Sequence, residues 1–509
     1  MLRYLYLTIA LLLVILWSSC RKDFEYTPNA GNLEFSKDTV YLDTIFANIG
    51  SSTYTLKVYN PNRDDIEIPT IGLKQGQNSK YRLNVDGIAG KEFENISILA
   101  QDSLFIFIET TYDLSNATVN EFLYTDVIEF DSGVNLQEVP LVTLVKDAIF
   151  LYPRTLSDGT KETISLGLDV NGEEIVREGF FLEETELEFI NEKPYVIYGY
   201  VAVKEGHTLN VAAGCRVHFH KDSGIYIANG ASINVSGTLS LDQELLENEV
   251  IFEGDRLEPE FSNIPAQWGT LWLSEGSLNN SIAHMTIKNA TIGLLVEGNG
   301  LLQAPTLSLS NTQIHNSGSS NLWAKNSYVL AENVVLGAAG KSSLHLNIGG
   351  FYTFTHTTIA NYWSNGFRTG VALQIDNYDA NESGDLLRAD FKNCIIDGNS
   401  ALELSLRDNA INAFNFSFDH SLIKFQDIAG QFEGNPLYDF SNSTYYKEVL
   451  LNQDIDFEDV TKNVFKIGEA SAAKDIAKLE DAIQVPLDII GTNRTVLPDI
   501  GAYEYTPEN

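Results

Sequence analysis

Cysteine is nearly absent, with three in 509 residues at positions 20, 215 and 394. Cys215 and Cys394 stand 179 residues apart, with no CxxC and no metal-ligand spacing nearby, so neither a disulfide framework nor a zinc site is indicated. Both lie in apolar strand patterns, where a free cysteine serves as a small core residue. Basic residues are also scarce. Against 69 Asp and Glu stand 33 Lys and Arg, a net charge of −36. Nucleic acid is thereby excluded as a partner, because binding a phosphate backbone requires a basic surface. Adhesion to anionic lipid by charge alone is disfavoured for the same reason. Methionine occurs twice, beside 37 Gly, 23 Tyr and 27 Phe, a balance that suits strands and turns better than helices. Long apolar runs are missing too. The run from Leu5 to Trp17 has thirteen residues, too few to span a bilayer of about 30 Å as a helix.

That run follows Arg3 and leads through Ser18 and Ser19 to Cys20. The pattern resembles a bacterial lipoprotein signal peptide, which implies cleavage before Cys20 and acylation of its thiol. Lys22, Asp23 and Glu25 then resemble the charged stretch that directs lipoproteins of Bacteroidota to the outer leaflet. The resemblance implies an outer-membrane protein, lipid-anchored and displayed at the cell surface, with the inner face of that membrane as the alternative.

From about Asn32 to Lys146 short alternating strands recur at roughly ten-residue intervals, divided by turns such as Asn60-Pro-Asn and Asp86-Gly87. The period and the single apolar face predict a β-sandwich, similar to the Ig-like modules of secreted bacterial proteins.

A second style begins near Pro194. A six-residue pattern of apolar, any, His or Asn, any, any, Ile or Leu is centred on His284, Asn311, Asn333, His356, Asn393 and His420. The spacings are 27, 22, 23, 37 and 27 residues, the period of a solenoid. The first apolar residue and the last are five apart, so strict alternation fails and the chain is expected to bend beside the His or Asn. At such a corner Asn tolerates left-handed backbone, and stacked side chains can hydrogen-bond along the axis. His284, His356 and His420 are therefore read as structural. Together with the ending Asp488-Ile-Ile-Gly491 through Pro498-Asp-Ile-Gly-Ala-Tyr-Glu504, these repeats resemble right-handed parallel β-helix proteins of the pectate-lyase-like superfamily. The expected fold is all-β, with an Ig-like sandwich followed by a right-handed parallel β-helix and its cap. The boundaries are signal peptide 1–19, linker 20–31, sandwich 32–147, connecting segment 148–193, solenoid 194–430 and C-terminal cap 431–509.

The resemblance raises two enzymatic alternatives, a polysaccharide lyase and a glycoside hydrolase. The solenoid holds no Asp-Asp pair of the hydrolase type. Lys288, Lys325, Lys392 and Arg407 are cations without a lyase motif, and the acidic balance opposes polyuronate substrates. No catalytic residue is assigned. The expanded coil between His356 and Asn393 is the best candidate for ligand binding. It offers Tyr362, Trp363, Phe367 and Arg368 in its first half, and Asp376, Asp379, Asn381 and Asp385 in its second. Aromatic faces suit sugar rings, and the spaced oxygen ligands suit Ca²⁺, although no EF-hand pattern is present. The competing reading is a solvated loop with its aromatics packed on the solenoid. Trp268, Trp272 and Trp323 are read as core or wall residues. The expected role is non-enzymatic, in binding or scaffolding, with a polysaccharide or an integral outer-membrane protein as partner.

Overall fold

Period-two alternation builds strands throughout the chain. A computed structural model describes residues 26–113, 121–168, 172–299 and 303–507. Cys20 and the charged stretch after it lie outside the described residues. The chain divides into two units between Asp147 and Ala148.

The first unit has two main sheets. One runs Thr27–Pro28, Ile66–Leu73, Glu121–Phe130, Gln137–Lys146 and Val40–Phe46, with Glu92–Ile98 also on Ile66–Leu73. The other runs Glu34–Phe35, Tyr54–Tyr59, Ser103–Thr110, Tyr81–Val85 and Ile88–Gly90. Alternate residues of both sheets enter one apolar cluster, with Val40 and Leu42 from the first and Leu56, Val58, Ile106 and Ile108 from the second. Each such side chain contributes about 1.5–3 kcal/mol by leaving water. The unit is a two-layer sandwich.

In the second unit the chain winds through three parallel ladders, here termed walls. Wall 1 includes Ile149–Leu151, Tyr195–Ile197, Arg216–Phe219, Val250–Gly254, 285–288, 312–315, 334–336, Thr358–Asn361, Ile395–Gly398 and Leu422–Ile423. Wall 2 includes 179–181, Tyr200–Val203, Gly224–Ile227, Leu271–Leu273, Ile292–Glu297, 320–325, 344–347, Leu373–Asp376 and Leu404–Arg407. Wall 3 runs from Glu188–Phe189 to Tyr446–Lys447. Each coil crosses each wall once, so the unit is a parallel β-solenoid. Identical positions stack inside it. Leu271, Leu294, Leu322, Leu344, Leu373 and Leu404 are in register along wall 2. The rings of Phe354, Phe391, Phe418 and Tyr446 stack along wall 3 with centroids 5.3, 4.9 and 5.7 Å apart.

Two boundaries differ from those expected. The first coil starts at Ile149 and not near Pro194, because 149–151, 179–181 and 188–189 already pair with the next coil. The antiparallel hairpin Thr163–Leu168/Glu174–Phe181 interrupts that coil and hides its period. The stretch 431–509 divides into two parts. Phe432, Leu437, Phe440 and Tyr446 pack on the end of the solenoid core, whereas residues 455–505 lie along the outer surface of wall 1. There Phe465, Ile489, Ala502 and Tyr503 cover Val335 and Ala360, and Ile455, Ile467 and Ile500 cover Ile395 and Leu422. Approach is close at Gly337, where a Cβ would stand 2.8 Å from Asn463 Oδ1.

The corner between walls 3 and 1 carries the repeated His and Asn. His284, Asn311, Asn333, His356, Asn393 and His420 all have φ between 46° and 54°. In two runs, His284/Asn311/Asn333 and His356/Asn393, the side chains bond along the axis. Asn333 Nδ2 donates to Asn311 Oδ1 (2.9 Å), Asn311 Nδ2 lies 3.2 Å from His284 Nε2, and Asn393 Nδ2 lies 3.0 Å from His356 Nε2. Burial holds His356 well below the usual histidine range, so its ring is neutral. The network then assigns the proton to Nδ1, which donates to the Gly501 carbonyl (3.3 Å).

The closing motif is a buried polar knot. Arg494 is 1% exposed. Its guanidinium donates to the carbonyls of Gly501 (3.3 Å) and Ala502 (3.2 Å), and Nε lies 3.5 Å from Glu504 Oε1. Asp488 accepts the N–H groups of Ile490, Thr492 and Glu504, and Asp499 accepts those of Asp475 and Tyr505. Three buried carboxyl groups thus share one cation, and burial pushes Glu504 up to about 8. A carboxyl raised above its unfolded value favours folding most below that unfolded value. The contribution is lost as pH rises through about 8. Melting temperature is therefore expected to fall between pH 5 and 9, with a shallower fall in Glu504→Gln. Parallel curves for the two proteins would remove Glu504 as a cause.

Candidate functional site

The expanded coil distributes its candidate residues over several places. Tyr362 and Trp363 follow the wall 1 strand. The Tyr362 hydroxyl donates to Asp397 Oδ2 (2.6 Å), its ring meets Phe457 and Phe465 of the C-terminal segment, and Trp363 is buried. Phe367 is 90% exposed. Arg368 pairs at 2.7 Å with the fully buried Glu403, which also accepts the N–H groups of Ser400 and Ala372. Burial pushes Glu403 up to about 7. Asp379 accepts the N–H groups of Asn381 and Glu382 and so closes its own turn. Asn381 is exposed. Asp385 takes the N–H of Ala413 and the side chain of Asn412, fastening the next loop. Tyr362, Trp363, Arg368 and Asp385 are thus occupied in holding the coil together. Among the described residues, no group of three or more His, Cys, Asp or Glu side chains is arranged to hold a metal ion.

Asp376 has a different setting, on the outer surface of wall 2. Each strand there has an inward residue, an outward one and another inward one. The outward column reads Trp272, Leu295, Trp323, His345, Gln374 and Ser405 along successive coils. Two residues further along these strands, the next outward positions are Glu297, Lys325, Asn347, Asp376 and Arg407. Neighbouring coils lie about 4.8 Å apart, so functional groups recur at that interval. Toward the N-terminal end Ile164 and Leu166 of the hairpin cover Tyr200 and Ala202, with Tyr226 and Trp272 at the margin.

The groups on this face are mutually fixed. Trp272 Nε1 donates to Glu297 Oε2 (2.8 Å), whose other oxygen is 3.0 Å from Lys325 Nζ. The Lys325 ammonium is 4.7 Å from the centroid of Trp323, and that ring is stacked with His345 at 5.5 Å and 12°. His345 Nε2 lies 2.8 Å from Asp376 Oδ2, which also accepts from Gln374 (2.6 Å), and Arg407 Nε is 3.8 Å from the other oxygen. Trp272, Trp323, Lys325, His345 and Gln374 are half-buried. Two carboxylates face two cations, so the column is electrically balanced within a chain of net charge −36. It combines apolar ring surface with hydrogen-bonding groups already aligned by their neighbours, a combination that suits polyhydroxylated ligands.

Hydrolysis by paired carboxyl groups needs them about 5–9.5 Å apart. Glu297 and Asp376 stand three coils apart, about 14 Å at the ladder repeat. As an acid–base couple they are too distant.

Sequence reasoning placed Trp268, Trp272 and Trp323 together as core or wall. The structure separates them. Trp268 is interior, stacked on Phe219 at 4.1 Å, and the other two face outward. The signal lay in the triads Leu271-Trp-Leu273, Leu322-Trp-Ala324, Leu344-His-Leu346 and Leu373-Gln-Ile375. Their middle residues share one face once the leucines are aligned.

No family model matches the chain, and no curated protein does. Among solved structures it is similar to a family 123 glycoside hydrolase from Clostridium perfringens, at 10% identity and a TM-score of 0.16 over 24% of this chain and 31% of that one. It is also similar to the periplasmic chaperone SfaE, at 11% identity and a TM-score of 0.15 over 23% of this chain and 58% of that one. The chain thus spans less than two thirds of the length of these two proteins. A longer match is the catalytic unit of the GH87 alpha-1,3-glucanase from Streptomyces thermodiastaticus strain HF3-3, at 10% identity and a TM-score of 0.18 over 72% of this chain and 79% of that one. At these TM-scores the likenesses assign no function.

Proposed function

We propose that this chain is a non-enzymatic, glycan-binding lipoprotein. Acylation at Cys20 would hold an Ig-like sandwich and a right-handed β-helix at the outer-membrane surface, and the outer face of wall 2 would bind the glycan lengthwise. One observation carries the reading, the in-register column of Trp272, Trp323 and His345 beside Glu297, Lys325, Asp376 and Arg407. The balanced charge of that face favours an uncharged glycan over a polyuronate, which the surrounding acidic surface would repel. An integral outer-membrane protein remains the alternative partner.

The test is retention of the purified chain on immobilised neutral glucans and on polygalacturonate. Binding to at least one neutral glucan is expected. Burying an indole contributes about 1.5 kcal/mol or more, so Trp323→Ala should weaken binding at least about tenfold. Trp272→Ala should act in the same direction. Unchanged binding in both variants would remove wall 2 as the binding face.

A further inference from the structure

We propose that the C-terminal end of the solenoid docks a basic segment of a partner protein, taking one lysine or arginine side chain into an aromatic pocket. This site adjoins the last wall 2 strand, Leu404–Arg407, and does not depend on glycan binding.

A cavity of about 630 Å³ opens there. Its floor is made of rings. Phe425 and Tyr438 stack at 4.8 Å, Phe432 lies 4.5 Å from Tyr438, and Phe440 lies 5.3 Å from Phe425. The floor is fixed in place by the strand edge beneath it. The Tyr438 hydroxyl accepts the N–H of Leu406 (2.8 Å) and donates to its carbonyl (3.3 Å), satisfying the last rung of wall 2. Phe432 is positioned in turn by Asp427, whose carboxylate accepts the N–H groups of Gln431 (3.0 Å) and Phe432 (2.8 Å).

The rim has one sign of charge. Asp427, Glu433 and Asp439 line the cavity, and no lysine or arginine does. Glu433 and Asp439 are exposed. Aromatic faces attract a cation through their quadrupole, and the stem of Lys or Arg is itself apolar and covers ring surface. An occupant with an aliphatic stem and a cationic head matches both floor and rim. A neutral sugar would use the rings and leave the carboxylates without a counter-charge. A second copy is disfavoured, because its matching end is equally acidic and each chain carries −36.

The experiment uses the whole chain and a fluorescein-labelled hexa-arginine peptide, followed by fluorescence anisotropy at low and at physiological salt. Three variants accompany the wild type: Phe432→Ala, the double variant Glu433→Gln with Asp439→Asn, and a control double variant Glu480→Gln with Asp86→Asn. The first two are expected to weaken binding about tenfold or more, while the control binds like wild type. The Gln/Asn pair keeps hydrogen-bonding oxygens at both positions, so it reports the rim charge should Phe432→Ala disturb packing. Equal loss in the control would show diffuse attraction to an acidic surface and overturn the proposal. So would unchanged binding in the rim variant, absence of binding, or capture of a neutral oligosaccharide at this end in place of the peptide.

Discussion

Replacing Arg494 with methionine is expected to destabilise the C-terminal segment by about 3–5 kcal/mol, the usual consequence of removing one partner from a buried ion network. Methionine fills much of the volume, so the loss is electrostatic and not a cavity effect. Asp488, Asp499 and Glu504 would be left buried without their cation, and the carbonyls of Gly501 and Ala502 without their donors. Burial already raises all three carboxyl groups, with the guanidinium opposing it. Without Arg494 they would rise further and take up protons, so the defect should be larger at pH 8 than at pH 5. Release of the segment would also bare Val335, Ala360, Ile395 and Leu422 on wall 1. Urea unfolding at both pH values, with limited proteolysis to locate the first cut, measures the effect. A loss below about 1 kcal/mol at both would contradict the cation's structural role.

Asn393→Val should be damaging for a different reason. Position 393 has φ of 54° and is fully buried. A left-handed backbone costs an ordinary L-residue about 1–2 kcal/mol, and β-branching adds to that. The asparagine also holds three partners. Nδ2 donates to His356 Nε2 (3.0 Å) and to the Lys478 carbonyl (3.1 Å), and Oδ1 accepts the Lys478 N–H (2.8 Å). Leaving such groups unpaired in the interior costs about 1–3 kcal/mol apiece. The total loss is expected to exceed about 3 kcal/mol. Asn393→Gly keeps the backbone conformation and should lose less, so the difference between the two variants isolates the backbone cost. Valine tolerated to within about 1 kcal/mol would contradict the corner assignment.

These corners were the most legible part of the molecule. A residue count of five between two inward positions cannot be met by a straight strand, and His or Asn at the break marked where the chain turns. The leucine stack of wall 2 is legible once the triads from Leu271-Trp-Leu273 to Leu373-Gln-Ile375 are aligned. The outward column is harder to read although it occupies the middle of each triad, because its residue type changes from Trp to Leu, His, Gln and Ser along the coils. The extra length of the coil between His356 and Asn393 serves local needs. Arg368 supports Glu403, Asp379 closes a turn and Asp385 fastens a loop, roles that depend on partners 27 to 35 residues away or within the same turn. Burial of Tyr362 depends on Phe457 and Phe465, which fold back from beyond the last coil. No local pattern announces a return of that kind. The start of the solenoid at Ile149 was hidden by the inserted hairpin Thr163–Leu168/Glu174–Phe181, which separates the first strands of the coil.

The claim that the wall 2 face binds glycan without cleaving it can be tested in one measurement. A neutral glucan that the wild type retains is incubated with the protein, and bound protein and newly formed reducing ends are quantified in the same samples. The predicted result is saturable binding, weakened at least about tenfold in Trp323→Ala, with no reducing ends above the protein-free control. Reducing ends that accumulate with wild type and disappear in a folded Asp376→Asn variant would contradict it.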